Sequence, residues 1–410
     1  MAFGLTKKEL SWVLYDVGNS AFVMLSTALI PVYFASIADP GSSVVVAWGY
    51  AETVASLVLA LLMPVLGSLA DLAGNKKKFL VGFAGTGAVA CAALGIPEHA
   101  LSFLVVYVIA AIMLNGSMVF YDAFLVDATT EERYDKVSSH GYAWGYIGSC
   151  IPFIACLAVV LGGSSFGIDA KLGMKIAFII TAAWWVVFTV PVAKNVKQLH
   201  GKKRSDHVLR TTISGLKGTV KSIVKDKRLL FFMLAFFFYI DGVHTVIKMS
   251  TSYGTDLGID STQLVLALLV TQFVAFPSAI AYGNLAKRFG TKRMLKVGVL
   301  AYFFIVLFAA FFLKSAVEFW ILAICVGLFQ GGIQALSRSE YGKLIPKERA
   351  NEYYGFFDIF GKYAAVMGTF LVSAFTQLTG SSSLGVLSIA LLFIVGFLFL
   401  RAMPPMLGDN

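Results

Sequence analysis

The side chains of this chain that could do chemistry are the titratable, amide and phenolic groups lying inside long apolar stretches. They are Asp16 and Asn19, Glu52, then Asn115, Tyr121 and Asp122, then Tyr239, Asp241, His244 and Lys248, then Gln330, Gln334 and Arg338, and finally Asp358 and Lys362. Several recur at three- or four-residue steps, which puts them on one helix face: Asp241, His244 and Lys248, or Gln330, Gln334 and Arg338. A charge at membrane depth costs about 2.5 to 3.5 kcal/mol on insertion scales, so such residues mark a solute or ion path or an internal pair. The chemistry on offer is binding and proton exchange. Asp16, Asp122 and Asp241 are carboxyls that could take up and release a proton, and His244 titrates near neutral pH. Asp358 and Lys362 could equally neutralise one another, and Arg338 could snorkel to the membrane boundary. Tyr15 adds a further hydroxyl to those of Tyr121 and Tyr239.

Covalent catalysis has no foothold. No Walker lysine, zinc-binding histidine pair or nucleophile elbow is present. Gly82-Phe-Ala-Gly85-Thr-Gly87 is spelled almost like a nucleotide loop, but it lies in an apolar run with no preceding strand and reads as helix packing. No catalytic residue, metal site or cofactor is expected. The four cysteines all fall in predicted helices and read as small packing residues.

The elements that must position the polar groups follow from composition. The chain is 58% hydrophobic and only 14% charged, with a mean hydropathy of +0.80, which places it in a bilayer. Apolar runs fall at roughly 11–36, 44–70, 79–97, 102–126, 138–162, 173–194, 229–250, 262–285, 294–313, 317–340, 353–379 and 383–402. Each approaches the roughly 20 residues that a spanning helix needs. Continuous runs of this length predict an all-α polytopic membrane protein with twelve transmembrane helices, not a β-barrel. The first run is full length and lacks a cleavage site, so it is expected to insert without a removable signal.

The net charge of +10 is distributed, not patched. Nearly all Lys and Arg fall on one side of a twelve-helix zigzag, leaving Lys171, Lys175 and Lys314 for the other. The charge therefore reports topology, with both termini expected in the cytoplasm, and does not imply nucleic acid. Residues 195–228 form a basic linker in which Leu209, Ile213, Leu216, Val220 and Ile223 keep the period of an amphipathic helix. It divides the chain into a six-helix bundle over 1–194 and a second over 229–410.

These halves are related. Gly67-Ser-Leu-Ala-Asp71-Leu-Ala-Gly74-Asn-Lys76-Lys77-Lys78 returns 216 residues later as Gly283-Asn-Leu-Ala-Lys287-Arg-Phe-Gly290-Thr-Lys-Arg-Met294. Each copy closes an apolar run with a glycine, turns on a second glycine and ends in a basic cluster. Asn115-Gly116 and Gln330-Gly331 continue the register, as do Glu131-Glu132-Arg133 and Lys347-Glu348-Arg349. Repeats in the same orientation imply two six-helix bundles related by an axis along the membrane normal.

The Gly67 to Lys78 segment resembles the loop 2-3 signature of the major facilitator superfamily. Tyr15-Asp16-Val17-Gly18-Asn19-Ser20-Ala21-Phe22 and Ser138-Ser139-His140-Gly141-Tyr142-Ala143-Trp144-Gly145 resemble its Atg22-like branch. Two positions depart from that pattern: Val17-Gly18 stands where the branch usually has Trp-Ala, and Lys287 stands where the second signature would have an aspartate. The resemblance implies a monomeric secondary transporter in which helices 1, 4, 7 and 10 line the solute path. It implies alternating access and a small polar solute such as an amino acid, moved in the export direction; protons are the expected coupling ion, because Asp16, Asp122 and Asp241 could bind and release them. A bacterial inner membrane is the expected location. Gly67, Asp71, Gly74, Lys76, Lys77, Gly283, Lys287 and Gly290 would form the gating motif, with Asp71 accepting hydrogen bonds from a helix N-terminus or pairing with a cation. An exporter of lipophilic compounds and a non-transporting membrane sensor or scaffold remain alternatives.

Overall fold

The computed structural model describes residues 2–38, 44–202 and 208–404, and these are helical almost throughout. In chain order the helices are α1 (Lys7–Ala28), α2 (Ile30–Ile37), α3 (Val44–Ala70), α4 (Lys76–Ala93), α5 (Ala100–Ala123), α6 (Leu125–Ala128), α7 (Tyr134–Gly162) and α8 (Ala170–Asn195). There follow α9 (Val208–Lys225), α10 (Lys227–Asp256), α11 (Ser261–Phe289), α12 (Thr291–Phe312), α13 (Ala316–Leu344), α14 (Ala350–Thr379), α15 (Ser382–Ser388) and α16 (Ala390–Ala402). Each of the twelve apolar runs lies on helix.

One run bends, and two others carry a one-residue interruption of the helix. The first bends by 44° between α1 and α2. Pro31, in the first turn of α2, has no N–H to offer and its ring would crowd the carbonyl four residues back. In the fourth run Phe124 separates α5 from α6, and in the twelfth Ile389 separates α15 from α16, both with the backbone still in the right-handed helical region. Among the described residues nine helices are long and apolar enough to cross a membrane, or ten with the bent pair taken as one. Helix α4 opens on three lysines and α14 carries Glu352, Asp358 and Lys362, so neither is uniformly apolar.

Two compact units form. One comprises Met1–Thr130, Trp144–Thr212 and Lys347–Gly355; the other comprises Glu131–Ala143, Ile213–Pro346 and Phe356–Asn410. Within the first, α1 packs on α8, α4 on both α5 and α8, and α3 on α5. Within the second, α10 packs on α16, α12 on both α13 and α16, and α11 on α13. That is one packing scheme used twice, as the sequence repeat requires. Each unit also takes a short segment from the other half of the sequence: 131–143, at the start of α7, clusters with the C-terminal helices, and 347–355, at the start of α14, with the N-terminal ones.

Trp12, Trp185 and Tyr302 are fully buried, whereas Leu61, Val89, Leu101, Val187, Phe304 and Leu398 point outward. Large exposed apolar side chains in such number suit lipid and would be a liability in water.

Candidate functional site

The loop after α3 holds the most elaborate polar arrangement in the first unit. Asp71 is buried, and its Oδ1 accepts hydrogen bonds from the backbone N–H of Asn351 (2.9 Å) and from Asn351 Nδ2 (2.7 Å). Its Oδ2 accepts one from the backbone N–H of Glu352 (3.1 Å). Those amides belong to the first turn of α14, where N–H groups have no partner inside the helix and the dipole favours an anion. Gly67 makes the approach possible. A Cβ there would lie 2.6 Å from the Asn351 carbonyl oxygen, so no other residue fits without moving α14. Gly74, at φ +82°, then turns the chain into α4.

A strap from the linker closes this arrangement. The backbone N–H of Lys202 donates to the Asp71 carbonyl (2.8 Å), and the N–H of Ala73 donates to the Lys202 carbonyl (3.1 Å). Lys202 Nζ reaches Glu352 Oε2 at 2.6 Å and lies 4.0 Å from Asp71 Oδ2. Arg349 holds the other oxygen of Glu352 at 2.8 Å. Burial pushes the Asp71 carboxyl up to about 6, against the opposing pull of Lys76, Lys202 and the Asn351 hydrogen bonds.

Lys76 is fully buried and ion-paired to Asp127 at 2.6 Å. It also donates to the carbonyl of Ala123 (3.2 Å), at the point where the break before α6 interrupts the helix. Asp127 Oδ1 accepts the N–H groups of Leu199 (2.8 Å) and His200 (2.9 Å), which anchors the strap. Lys76 therefore does more than mark the membrane boundary; Lys77 is half-buried and Lys78 exposed.

The second unit solves the same problem with other residues. Gly283 again permits a close approach, since a Cβ there would lie 2.6 Å from Ser139 Oγ, and Gly290 turns the chain at φ +87°. Lys287, the counterpart of Asp71, is exposed. Asp135, near the start of α7, instead gathers the polar contacts: it accepts from Ser339 Oγ (2.5 Å) and Thr291 Oγ1 (2.8 Å) and pairs with Lys343 (2.7 Å). Arg338 is buried and does not snorkel; its Nε donates to Ser138 Oγ (2.9 Å) and its Nη2 to the Ser138 carbonyl (3.0 Å), with the guanidinium 4.4 Å from the Tyr142 ring. Thus the carboxylate sits on α3's loop in one unit and on α7 in the other.

The polar groups within the spanning helices separate by unit. In the first, the Tyr121 hydroxyl donates to Asp16 Oδ2 (2.9 Å), and Asn19 Nδ2 donates to the Tyr15 carbonyl (3.0 Å) and lies 3.5 Å from Asp16 Oδ1. The Tyr15 hydroxyl donates to Ser117 Oγ (2.6 Å). Asn115 turns its amide onto the Ala111 carbonyl of its own helix, Asp122 is half-buried, and Glu52 accepts from the Tyr107 hydroxyl. In the second unit Tyr239 and Ser337 share a hydrogen bond of 2.7 Å, matching Tyr15 and Ser117.

Asp241 is buried, and its Oδ1 accepts the backbone N–H of Gly368 in α14 (2.9 Å) and the Thr245 hydroxyl (3.3 Å). Among the described residues its Oδ2 is buried without a hydrogen-bond partner. Burial separates the triplet, for His244 is half-buried and Lys248 exposed. Gln330 lines a cavity whose wall is otherwise mainly aliphatic, with Val246, Ile247, Leu268 and Leu322. Gln334 and Asp358 are half-buried, while the side chain of Lys362 lies outside the described residues. The arrangement can bind polar groups and move a proton; among the described residues no group of His, Cys, Asp and Glu is disposed to hold a metal.

Asp127, Asp135, Lys202, Lys343, Asn351 and Glu352 were not among the residues singled out from the sequence. For Asp135, Asn351 and Glu352 the local signal is the repeated Glu-Arg loop that precedes them.

With this geometry in view, solved structures show the same fold. The chain matches the major facilitator transporter FucP in its outward conformation with a TM-score of 0.76, covering 97% of this chain and 99% of that one at 14% identity. It matches the human organic anion transporter MFSD10 with a TM-score of 0.70 at 14% identity, covering 96% and 98%. The family model described as "Vacuole effluxer Atg22 like" matches residues 42–127 and 126–406. The chain belongs to this Atg22-like family of major facilitator transporters. A relative from Bacillus subtilis (strain 168), named as an uncharacterized MFS-type transporter YxiO, is 46% identical over 408 residues, covering 97% of this chain and 95% of its own. Autophagy-related protein 22 of Cryptococcus neoformans var. neoformans serotype D is 26% identical over 283 residues, covering 63% of this chain and 48% of its own.

Proposed function

We propose that this protein is a proton-coupled secondary transporter that exports a small polar solute, such as an amino acid or a related metabolite, by alternating access. It works as a monomer in a bacterial inner membrane with both termini in the cytoplasm, and its moving parts are the halves 1–194 and 229–410 joined by the linker 195–228. The observation that carries this reading is Asp71, a buried carboxylate seated on the bare N-terminus of α14 at a glycine that nothing larger can replace. Such a contact favours the conformer that makes it, and breaking it gives the other. The family's description as an effluxer supports the export direction.

For the coupling ion the support is Asp241. A buried carboxyl oxygen without a partner suits a group that carries a proton for part of the cycle. Asp16, bonded to Tyr121, is the corresponding carboxyl of the first unit. An exporter of lipophilic compounds is the second reading, favoured by the aliphatic wall around Gln330.

Purified protein in liposomes tests both. Solute-dependent proton movement is expected across a panel of amino acids and related metabolites, and Asp241→Asn is expected to abolish it while solute exchange persists. Solute-driven proton movement unchanged in Asp241→Asn would exclude Asp241 as the coupling group. Flux confined to lipophilic cations would favour the second reading.

A further inference from the structure

We infer that the exposed face of α9 docks on the surface of an anionic bilayer, as a lipid-binding helix built into the linker. The last turns of α9 divide into three stripes. Thr219 and Ile223 are buried, which identifies the face that packs on protein. Val220 and Val224 are 47% and 57% exposed, and Lys217, Lys221 and Lys225 are all exposed. At about 100° per residue the two valines lie between the packed face and the lysines, which follow at four-residue steps round the helix. The side chains of Leu209 and Ile213 lie outside the described residues.

Exposed valines flanked by lysines suit the boundary between acyl chains and headgroups. The apolar stripe enters the outer acyl region, and the lysine stems snorkel outward so that each ammonium meets a phosphate. Position supports the same occupant. Only Asp226, which caps α10, separates Lys225 from the apolar span that begins at Lys227. The C-terminal turn of α9 is therefore held at headgroup level by its connection, whatever the solute. Among the described residues no ion pair engages Lys217, Lys221 or Lys225. An anionic lipid surface supplies the missing charge, at a strength of about one power of ten in affinity for each one to two lysines.

The test uses the full chain in lipid nanodiscs, with an environment-sensitive dye on Val224→Cys. In phosphatidylglycerol-containing discs the emission should shift to the blue relative to phosphatidylcholine discs, and raising salt should reverse the shift. Lys217→Gln/Lys221→Gln/Lys225→Gln should lower the equilibrium constant for docking about a hundredfold, read as loss of the blue shift. If that variant does not fold, the salt titration of the labelled parent reads the same electrostatic contact. Inorganic phosphate should not reproduce the shift. Emission that is blue in both lipids and insensitive to salt would mean that the valines pack on protein, and emission characteristic of water in both would mean a solvated connector; either result overturns the proposal.

Discussion

At the scale of the residue, Asp71 has the clearest physical account. Its two oxygens accept three hydrogen bonds from the first turn of α14, and charge-assisted bonds of this kind are worth about 1.5 to 3 kcal/mol each. Asp71→Asn removes the charge and turns an amide NH2 toward backbone donors. We expect it still to fold, with a lower melting temperature, and to transport at least about tenfold more slowly, as liposome flux would show. The contact should also respond to pH. Asp71 is faced by Lys76 from α4, Lys202 from the strap, and Asn351, Glu352 and Arg349 from the start of α14. Burial lifts its carboxyl to about 6, whereas a carboxyl released to water returns to about 3.9. The closed contact thus binds the proton more tightly, so this contribution to closure is full below about 4 and is lost as pH rises through about 6. Acidifying from pH 7 to pH 5 should favour closure about tenfold, measurable by pulsed electron-spin resonance between labels at the exposed positions Ala73 and Glu348. Asp71 and Gly67 were legible in the sequence because the motif is local and repeated. Lys202 and Asn351 were not, because each meets Asp71 from a distant part of the chain and no short-range spacing records that meeting.

At the scale of the element, the breaks matter more than the helices. The interruption at Phe124 exposes the Ala123 carbonyl to Lys76 and lets Asp127 turn toward the strap. Removing one partner of a fully buried ion pair leaves the other charge unpaired, at a cost of about 3 to 5 kcal/mol. Lys76→Met should therefore lower the melting temperature clearly, and Lys76→Met/Asp127→Leu should recover part of the loss; a double variant no better than the single would argue against the pair. Gly67→Ala acts differently, by pushing a methyl against the Asn351 carbonyl and displacing the start of α14. Its expected signature is impaired transport with only a modest change in melting. The apolar runs disclosed the long apolar helices because burial in lipid writes itself as uninterrupted hydrophobicity, whereas α9 showed only in its amphipathic period. They did not disclose the breaks at Phe124 and Ile389, which no proline marks; at Pro31 the mark was present in the sequence.

At the scale of the whole molecule, the duplicated loop forecast a duplicated fold, and the two units do repeat one packing scheme. The repeat did not forecast how each unit would hold its borrowed segment. At Lys287 the second copy departs from the aspartate of the first. The second unit nevertheless has a polar cluster of its own, with Asp135 on Thr291, Ser339 and Lys343. The substitution at position 287 is accompanied by a carboxylate that moved to α7, a change that only the folded chain brings together. For Asp71 to gate transport, its contact with α14 must open during each transport cycle. The most direct measurement locks it: Ala73→Cys/Glu348→Cys is joined by a short cleavable bismaleimide, and solute flux in liposomes is followed before and after cleavage, with the cysteine-unmodified parent as control. Flux is expected to stop on joining and to return on cleavage, whereas full flux through the joined protein would show that the contact need not open.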